Sequence, residues 1–285
     1  MPPSPASRAA RAAATLAITA AALGSLLAAP APARADQGTR YCRSASHPGL
    51  AARLSHGIEQ ALQGDRSTLA FSVRDTATGL VCAADPDRHF DSASIVKVTV
   101  LGAVLRRAEE QHRALTGPEQ QDLRLMVTQS DNDAASRLWQ SLGQDFLQKF
   151  LHLAGMDRTY LSADGWGLTQ VTADDEMRQL DILTGGQDVL TAEDQAYALN
   201  LMAQVEADQR WGTPYGAPAT VTVHVKNGWL QRATHGWRVN SLGVFTGAGT
   251  TYRMAVLTDD NPTEAYGIDT VQRIAWQVHH ALAGA

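Results

Sequence analysis

The chain has 285 residues, 24 of them basic and 29 acidic, and a formal charge of −5 with neutral histidines. With no basic surplus to displace counterions, a nucleic-acid partner or an anionic-membrane surface is not expected. The length suits one large core or two interleaved subdomains behind a short leader.

The first 35 residues read as a secretory signal. Arg8 and Arg11 precede an apolar run from Ala12 to Ala29, and Ala33-Arg34-Ala35 offers a cleavage site. The alternative, an uncleaved membrane anchor, meets Gly24, Pro30 and a length marginal for a bilayer span. No cysteine closes the run, so acylation as a lipoprotein is not indicated. Cleavage after Ala35 removes Arg8, Arg11 and Arg34 but no acid, which leaves residues 36–285 near about −8. A secreted protein without a stable membrane anchor after signal removal is expected. Cys42 and Cys82 are the only cysteines, and an even pair entering an oxidising compartment predicts a disulfide, with two unpaired thiols as the alternative.

Leu50, Leu54, Ile58 and Leu62 recur at fours and predict a helix from Pro48 to Leu62. Alternation in Thr68 to Arg74 and a second run, Leu80 to Ala84, across a turn-rich Asp75 to Gly79 predict a hairpin. Helical spacing follows from near Ser94 to about Ala114 and from Pro118 to near Thr128. Further helices are expected over Ala134 to Leu142, Gln144 to Ala154, Ala173 to Leu183 and Thr191 to Val205, broken at Gly143, Gly155 and Gly185-Gly186. Strand patterns return at Val221 to Val225, Trp237 to Phe245 and Tyr252 to Leu257, and a helix from Tyr266 to Leu282 closes the chain. The expected fold is α+β, an antiparallel sheet flanked by helices and built from both chain ends, with an inserted all-helical subdomain. The sheet subdomain takes about 46–92 and 215–285, and the helical one about 93–214.

Three short segments carry the chemistry. Ser94-Ile95-Val96-Lys97 places a serine at a helix start, with a lysine three residues on along the same face. The helix dipole favours negative charge at Ser94, and a desolvated lysine beside another cation can become the base that an alcohol needs. Lysine is scarce: only Lys97, Lys149 and Lys226 occur, against 21 arginines. Arginine serves for surface charge but not as a neutral base, so lysine is expected where protons move. Lys149, on a helix, reads as a solvated charge. Ser130-Asp131-Asn132 lies between two helices, and its plainer reading is a helix cap. Lys226-Asn227-Gly228 follows a strand, and its plainer reading is a β-turn.

In this order and spacing the three segments resemble the serine β-lactamase and penicillin-binding protein superfamily, with its S-x-x-K, S-D-N and K-[ST]-G motifs. The class A β-lactamases are the most similar group in length and element order. The resemblance covers most of residues 36–285; the first two motifs match fully and the third in part. It implies that Ser94 is the nucleophile and Lys97 its base or proton relay. Ser130 then passes a proton to the leaving nitrogen, Asn132 holds a substrate amide, and Lys226 attracts a substrate carboxylate and lowers the proton affinity of Ser130. Gly228 completes the third motif. The backbone N–H groups of Ser94 and Trp229 hold the oxyanion by analogy, and Arg238 is a second carboxylate anchor, or else a surface strand charge.

Two departures stand out. The E-x-x-x-N loop that supplies the deacylating glutamate of class A enzymes is absent, and Asp164, the only acid in the shortened loop, reads better as a turn residue. Asn227 replaces the Thr or Ser; its amide can donate to a carboxylate but cannot relay a proton. Without the glutamate, slow deacylation is expected. No H-E-x-x-H, G-x-S-x-G or phosphate-loop pattern occurs, so no metal and no cofactor is expected. Trp166, Trp229 and Trp237 flank the expected site or pack in the core.

The leading expectation is an exported serine hydrolase whose partner is a small-molecule β-lactam or a related amide or ester. One alternative is a D-alanyl-D-alanine peptidase acting on peptidoglycan stem peptides, and another is a noncatalytic binding protein on the same fold.

Overall fold

The computed structural model describes residues 40–284 apart from Gln187 and Ala248, so the secretory-signal expectation lies outside the described residues. The chain opens with β1 (Cys42–Arg43), α1 (Pro48–Ala61), β2 (Thr68–Asp75), β3 (Leu80–Ala84) and β4 (Phe90–Asp91). A helical stretch follows: α2 (Val96–Glu110), α3 (Gly117–Thr128) and α4 (Asn132–Leu153), then the short β5 (Gln170–Val171), α5 (Ala173–Leu183) and α6 (Ala192–Ala203). The long strands β6 (Thr222–Gln231), β7 (Trp237–Gly247) and β8 (Thr250–Asn261) lead to α7 (Glu264–Ala283).

Among the described residues, seven helices flank a six-stranded antiparallel sheet of order β1-β3-β2-β8-β7-β6, so strands from both ends of the chain meet at the β2–β8 seam. This is the α+β architecture expected from the sequence. Side-chain alternation divides the sheet's two faces. On one face Phe71, Val73, Met254 and Val256 pack with Leu54 and Ile58 of α1 and Ile274 and Val278 of α7. On the other, Ala70, Leu242, Val244, Ala255 and Leu257 join the helical layer of Leu101, Val104, Phe150 and Leu180. The Cys42–Cys82 disulfide forms, joining directly opposed residues of β1 and β3.

Two features differ from the sequence reading. The Lys226-Asn227-Gly228 segment does not follow a strand; it lies inside β6, where Lys226, Asn227 and Gly228 pair with Leu242, Ser241 and Asn240 of β7. Ladder pairing with a fully buried neighbour overrides the local turn preference of Asn-Gly. The break expected at Gly143 is present: its φ of 73° and ψ of 158° are non-helical and divide α4 there. The two-residue strands β1, β4 and β5 carry too few residues to show alternation.

Candidate active site

Ser94 rides on a 3₁₀ turn, Ala93–Ile95, that runs directly into α2. The turn is clamped from the sheet: Asn240 Nδ2 donates to Asp91 O at 3.0 Å and to Ser92 O at 3.1 Å, while Ser92 N donates to Thr169 O at 2.9 Å. Ala93 is held at φ +47°, a left-handed conformation that costs a residue bearing a Cβ about 1–2 kcal/mol. Strain of this kind persists only where the surroundings over-determine it. From β6, Gly228 presses against the same turn. A Cβ added there would lie 2.6 Å from Ser94 N, 2.8 Å from Ile95 N and 3.0 Å from Ser92 O. Only glycine permits this approach.

One turn along α2, Lys97 is fully buried. Its three N–H groups go to Ser130 O at 2.5 Å, Ser130 Oγ at 3.1 Å and Asn132 Oδ1 at 2.8 Å. Ser130 turns toward Lys97 through a left-handed backbone, φ +56°. Asp131 caps α4 instead, its carboxylate accepting from Ala134 N at 2.7 Å. The two readings of Ser130-Asp131-Asn132 therefore divide by residue: Asp131 caps, while Ser130 and Asn132 face the lysine.

Lys226, also fully buried, donates to Ser130 Oγ at 3.0 Å and to Asn227 O at 2.8 Å. One hydroxyl thus accepts from two lysines 129 positions apart in the chain. Burial, opposed by the nearby Asp131 carboxylate, brings Lys97 down to about 8. Burial first, and the charge of Lys97 second, push Lys226 well below the ordinary lysine range. Such a pair holds a neutral amine near physiological pH far more readily than a solvated lysine does. Ser94 is half-buried and Asn132 exposed, so the cluster reaches the surface.

Other expected residues are placed differently. Strand alternation sends Lys226 and Gly228 to the Ser94 side and Asn227 to the opposite face. Both amide hydrogens of Asn227 are spent there, on Gln209 O and Trp211 O at 2.9 Å each, so its side chain anchors the 209–211 loop and offers nothing to a substrate carboxylate. The Trp229 ring, on the same far face, meets Trp211 edge-on at 5.7 Å. Arg238 is buried, its Nε 3.0 Å from Asp91 Oδ2 and its Nη1 donating to the carbonyls of Thr234 and Gly236. It secures the turn ahead of Ser94 and is neither a free anchor nor a surface charge. Trp237 packs with the α1/α7 core, and Asp164 is exposed on its turn. His279 is buried between Tyr252 and Thr213 O, and His280 stacks on Trp276. Donor atoms of His235, Asp259 and Asp260 converge at the β7–β8 end, where His235 pairs with Asp260 at 2.9 Å.

Sequence reading gave no role to Asp91 or Asn240 and placed Trp166 only as a flank of the site or a core residue. Asp91 gathers Arg232, Arg238 and Gln170 Nε2, the last at 2.5 Å. Asn240 clamps the turn. Trp166 lays its ring over Lys97 Nζ, 4.7 Å from the ring centroid. Each acts through contacts distant in sequence, and no local pattern marks them.

The sequence model of the β-lactamase enzyme family matches residues 53–118 and 118–282. Among curated proteins, LppW of Mycobacterium tuberculosis and of Mycobacterium bovis, provisionally named lipoproteins, are 29% identical over 186 residues, 62% of this chain and 59% of theirs. The chain thus spans less than two thirds of the length of the curated relatives it matches. Among solved structures, a β-lactamase from Sphaerobacter thermophilus superposes with a TM-score of 0.70 at 20% identity, over 82% of this chain and 97% of that one. A class A β-lactamase from Bacteroides cellulosilyticus gives 0.71 at 18% over 82% and 98%. An ancestral class A β-lactamase of Gram-negative bacteria gives 0.68 at 23% over 80% and 99%.

Proposed function

The chain belongs to the β-lactamase enzyme family, and from that premise we propose that it is an exported serine hydrolase that forms an acyl-enzyme on Ser94. The observation that carries this reading is the Ser130 hydroxyl held at once by Lys97 at 3.1 Å and Lys226 at 3.0 Å beside the Ser94 turn. Neutral Lys97 takes the Ser94 proton as Oγ attacks the substrate carbonyl. Ser130, accepting from both lysines, has its own O–H free to protonate the leaving nitrogen as the C–N bond breaks. Backbone N–H groups of Ser94 and Trp229 receive the oxyanion, each such donor contributing about a hundredfold or more to turnover. Asn132 holds the substrate amide, and a substrate anion facing Lys226 favours the protonated form that burial and Lys97 otherwise disfavour, without help from the Asn227 side chain. The substrates are β-lactams or related amides or esters.

Residues 36–285 form the catalytic domain in this reading, with a helical insertion at about 93–214. Export agrees with the disulfide and with the signal pattern, and no described helix is long and apolar enough to cross a membrane. The lipid anchor suggested by the relatives' name does not carry over through Cys42 or Cys82, because both thiols are joined to each other.

A fluorescent penicillin tests the reading. Covalent label on the protein, absent from Ser94→Ala, supports it; no Ser94-dependent label removes it. A second reading, a D-alanyl-D-alanine peptidase or penicillin-binding enzyme, draws on one observation: among the described residues every hydrogen-bond acceptor of Lys97 is neutral, and the carboxylate whose charge reaches it, Asp131, is engaged in capping α4. Label that persists for hours and release of D-alanine from a stem peptide favour it over rapid β-lactam turnover.

A further inference from the structure

We propose that Trp166 is a positioning residue that closes the space beside Lys97 to bulk water, so that the ester on Ser94 outlives the acylation that made it. The inference rests on the hydrolase reading and adds to it the group that decides the fate of the intermediate.

The ring and the backbone that carries it are both held: the indole Nε1 donates to Ser136 Oγ on α4 at 3.2 Å, and the Trp166 backbone carbonyl accepts from Ser92 Oγ at 3.4 Å. The 3₁₀ turn that carries it, Trp166–Leu168, leads into β5, which pairs with β4 immediately ahead of Ser94. The ring therefore belongs to the same framework as the nucleophile and is not the tip of a free loop. Its face lies 4.7 Å from Lys97 Nζ, and Lys97 has no exposed surface.

Deacylation requires a water oxygen to attack the acyl carbon, a base to take its proton, and Ser94 Oγ to leave and recover a proton. An apolar ring lies beside Lys97, and the two acids on the loop between α4 and that ring, Asp157 and Asp164, are exposed. Acylation needs none of this water, because its proton passes between Ser94, Lys97 and Ser130. The ring thus separates the two half-reactions.

The groups facing Lys97 are Lys226 from β6, Ser130 and Asp131 from the turn before α4, Asn132 of α4, and Trp166 itself. The ring acts on the ammonium in two opposed ways. Its π face favours the charge by about 0.5–2 kcal/mol. Its bulk strips water and disfavours the charge, and burial is the largest influence on Lys97. Removing the ring should therefore raise the affinity of Lys97 for its proton.

Two measurements test this on the full chain. Because Lys97, Lys149 and Lys226 are the only lysines, ¹³Cε-lysine labelling gives three resonances whose pH titrations are followed separately, with Lys149 as the solvated control. In Trp166→Ala the Lys97 midpoint moves up by about one unit or more toward the ordinary lysine value, while Trp166→Phe, which keeps a ring, leaves it in place. In parallel, the lifetime of the fluorescent penicillin ester shortens on the order of tenfold in Trp166→Ala and is restored in Trp166→Phe. An unmoved Lys97 midpoint, or an unchanged ester lifetime in a folded Trp166→Ala, overturns the inference. A native protein that takes no Ser94-dependent label overturns the hydrolase reading, and the inference about ester lifetime falls with it; the midpoint then reports only whether the ring excludes water from Lys97.

Discussion

Gly228→Ala puts the proposed site to a quantitative test. A methyl there meets three backbone atoms of the Ser94 turn, the nearest at 2.6 Å, whereas ordinary contact begins near 3.4 Å. Backbone cannot swing aside as a side-chain tip can, so β6 or the turn must yield by about 0.8 Å in a densely packed interior. Overpacking of this size destabilises by about 1–3 kcal/mol, which in a chain this long lowers Tm by about 2–4 °C for each kcal/mol. Displacement of a reacting group by about 1 Å is enough to reduce rate about a hundredfold. The acylation rate, followed by penicillin label under single-turnover conditions, is therefore expected to fall between about tenfold and a hundredfold. Gly117→Ala is the control, because nothing lies within 4 Å of its added methyl and both rate and Tm should hold. Native acylation and native Tm in Gly228→Ala would show that β6 does not bear on Ser94, and the proposed site would lose its third wall.

Four further outcomes are expected. Lys97 is folded with a value near 8 and unfolds to an ordinary lysine near 10.4, so the unfolded chain binds the extra proton between them. Its contribution to stability is full above that window and declines as pH falls toward about 8; urea unfolding of the native protein and Lys97→Met across pH 8 to 10.5 should diverge in that sense, and parallel curves would contradict it. Glu176 of α5 has no exposed surface and no partner for either carboxyl oxygen, and burial pushes its proton affinity well up. The stability it permits is present at pH 4 and lost as pH rises, so Glu176→Leu should raise Tm at pH 8 more than at pH 4. Reducing the disulfide, or Cys42→Ser, should destabilise by about 2–5 kcal/mol, read as a lower urea midpoint. Asn227→Thr removes two anchors of the 209–211 loop, so proteolysis there should quicken; a native cutting pattern would refute the anchoring role.

Local periodicity was sufficient for the long elements. Helices α1 through α7 and the β2–β3 hairpin fall close to their expected ranges because an amphipathic stripe or a strict alternation is a property of neighbours in sequence. Ser94, Lys97, Ser130 and Lys226 were legible for another reason: the proposed chemistry is one that few residue types can perform, so scarcity of lysine and order of motifs sufficed to mark them as candidates. Direction was not legible. Placing Lys226-Asn227-Gly228 inside β6 rather than after it reassigns Asn227 from the site to the loop behind the sheet.

What the sequence by itself determined was the inventory of this protein: the antiparallel sheet with its helical insertion, two serines, two unusual lysines and a cysteine pair. What only the tertiary structure decided was the meeting of those parts. Lys97 and Lys226 share one hydroxyl, Asp91 draws Arg238 away from solvent, and Trp166 covers an ammonium 69 positions earlier in the chain. Desolvation, ion pairing and close approach depend on which distant groups are packed together, and no single segment carries that information.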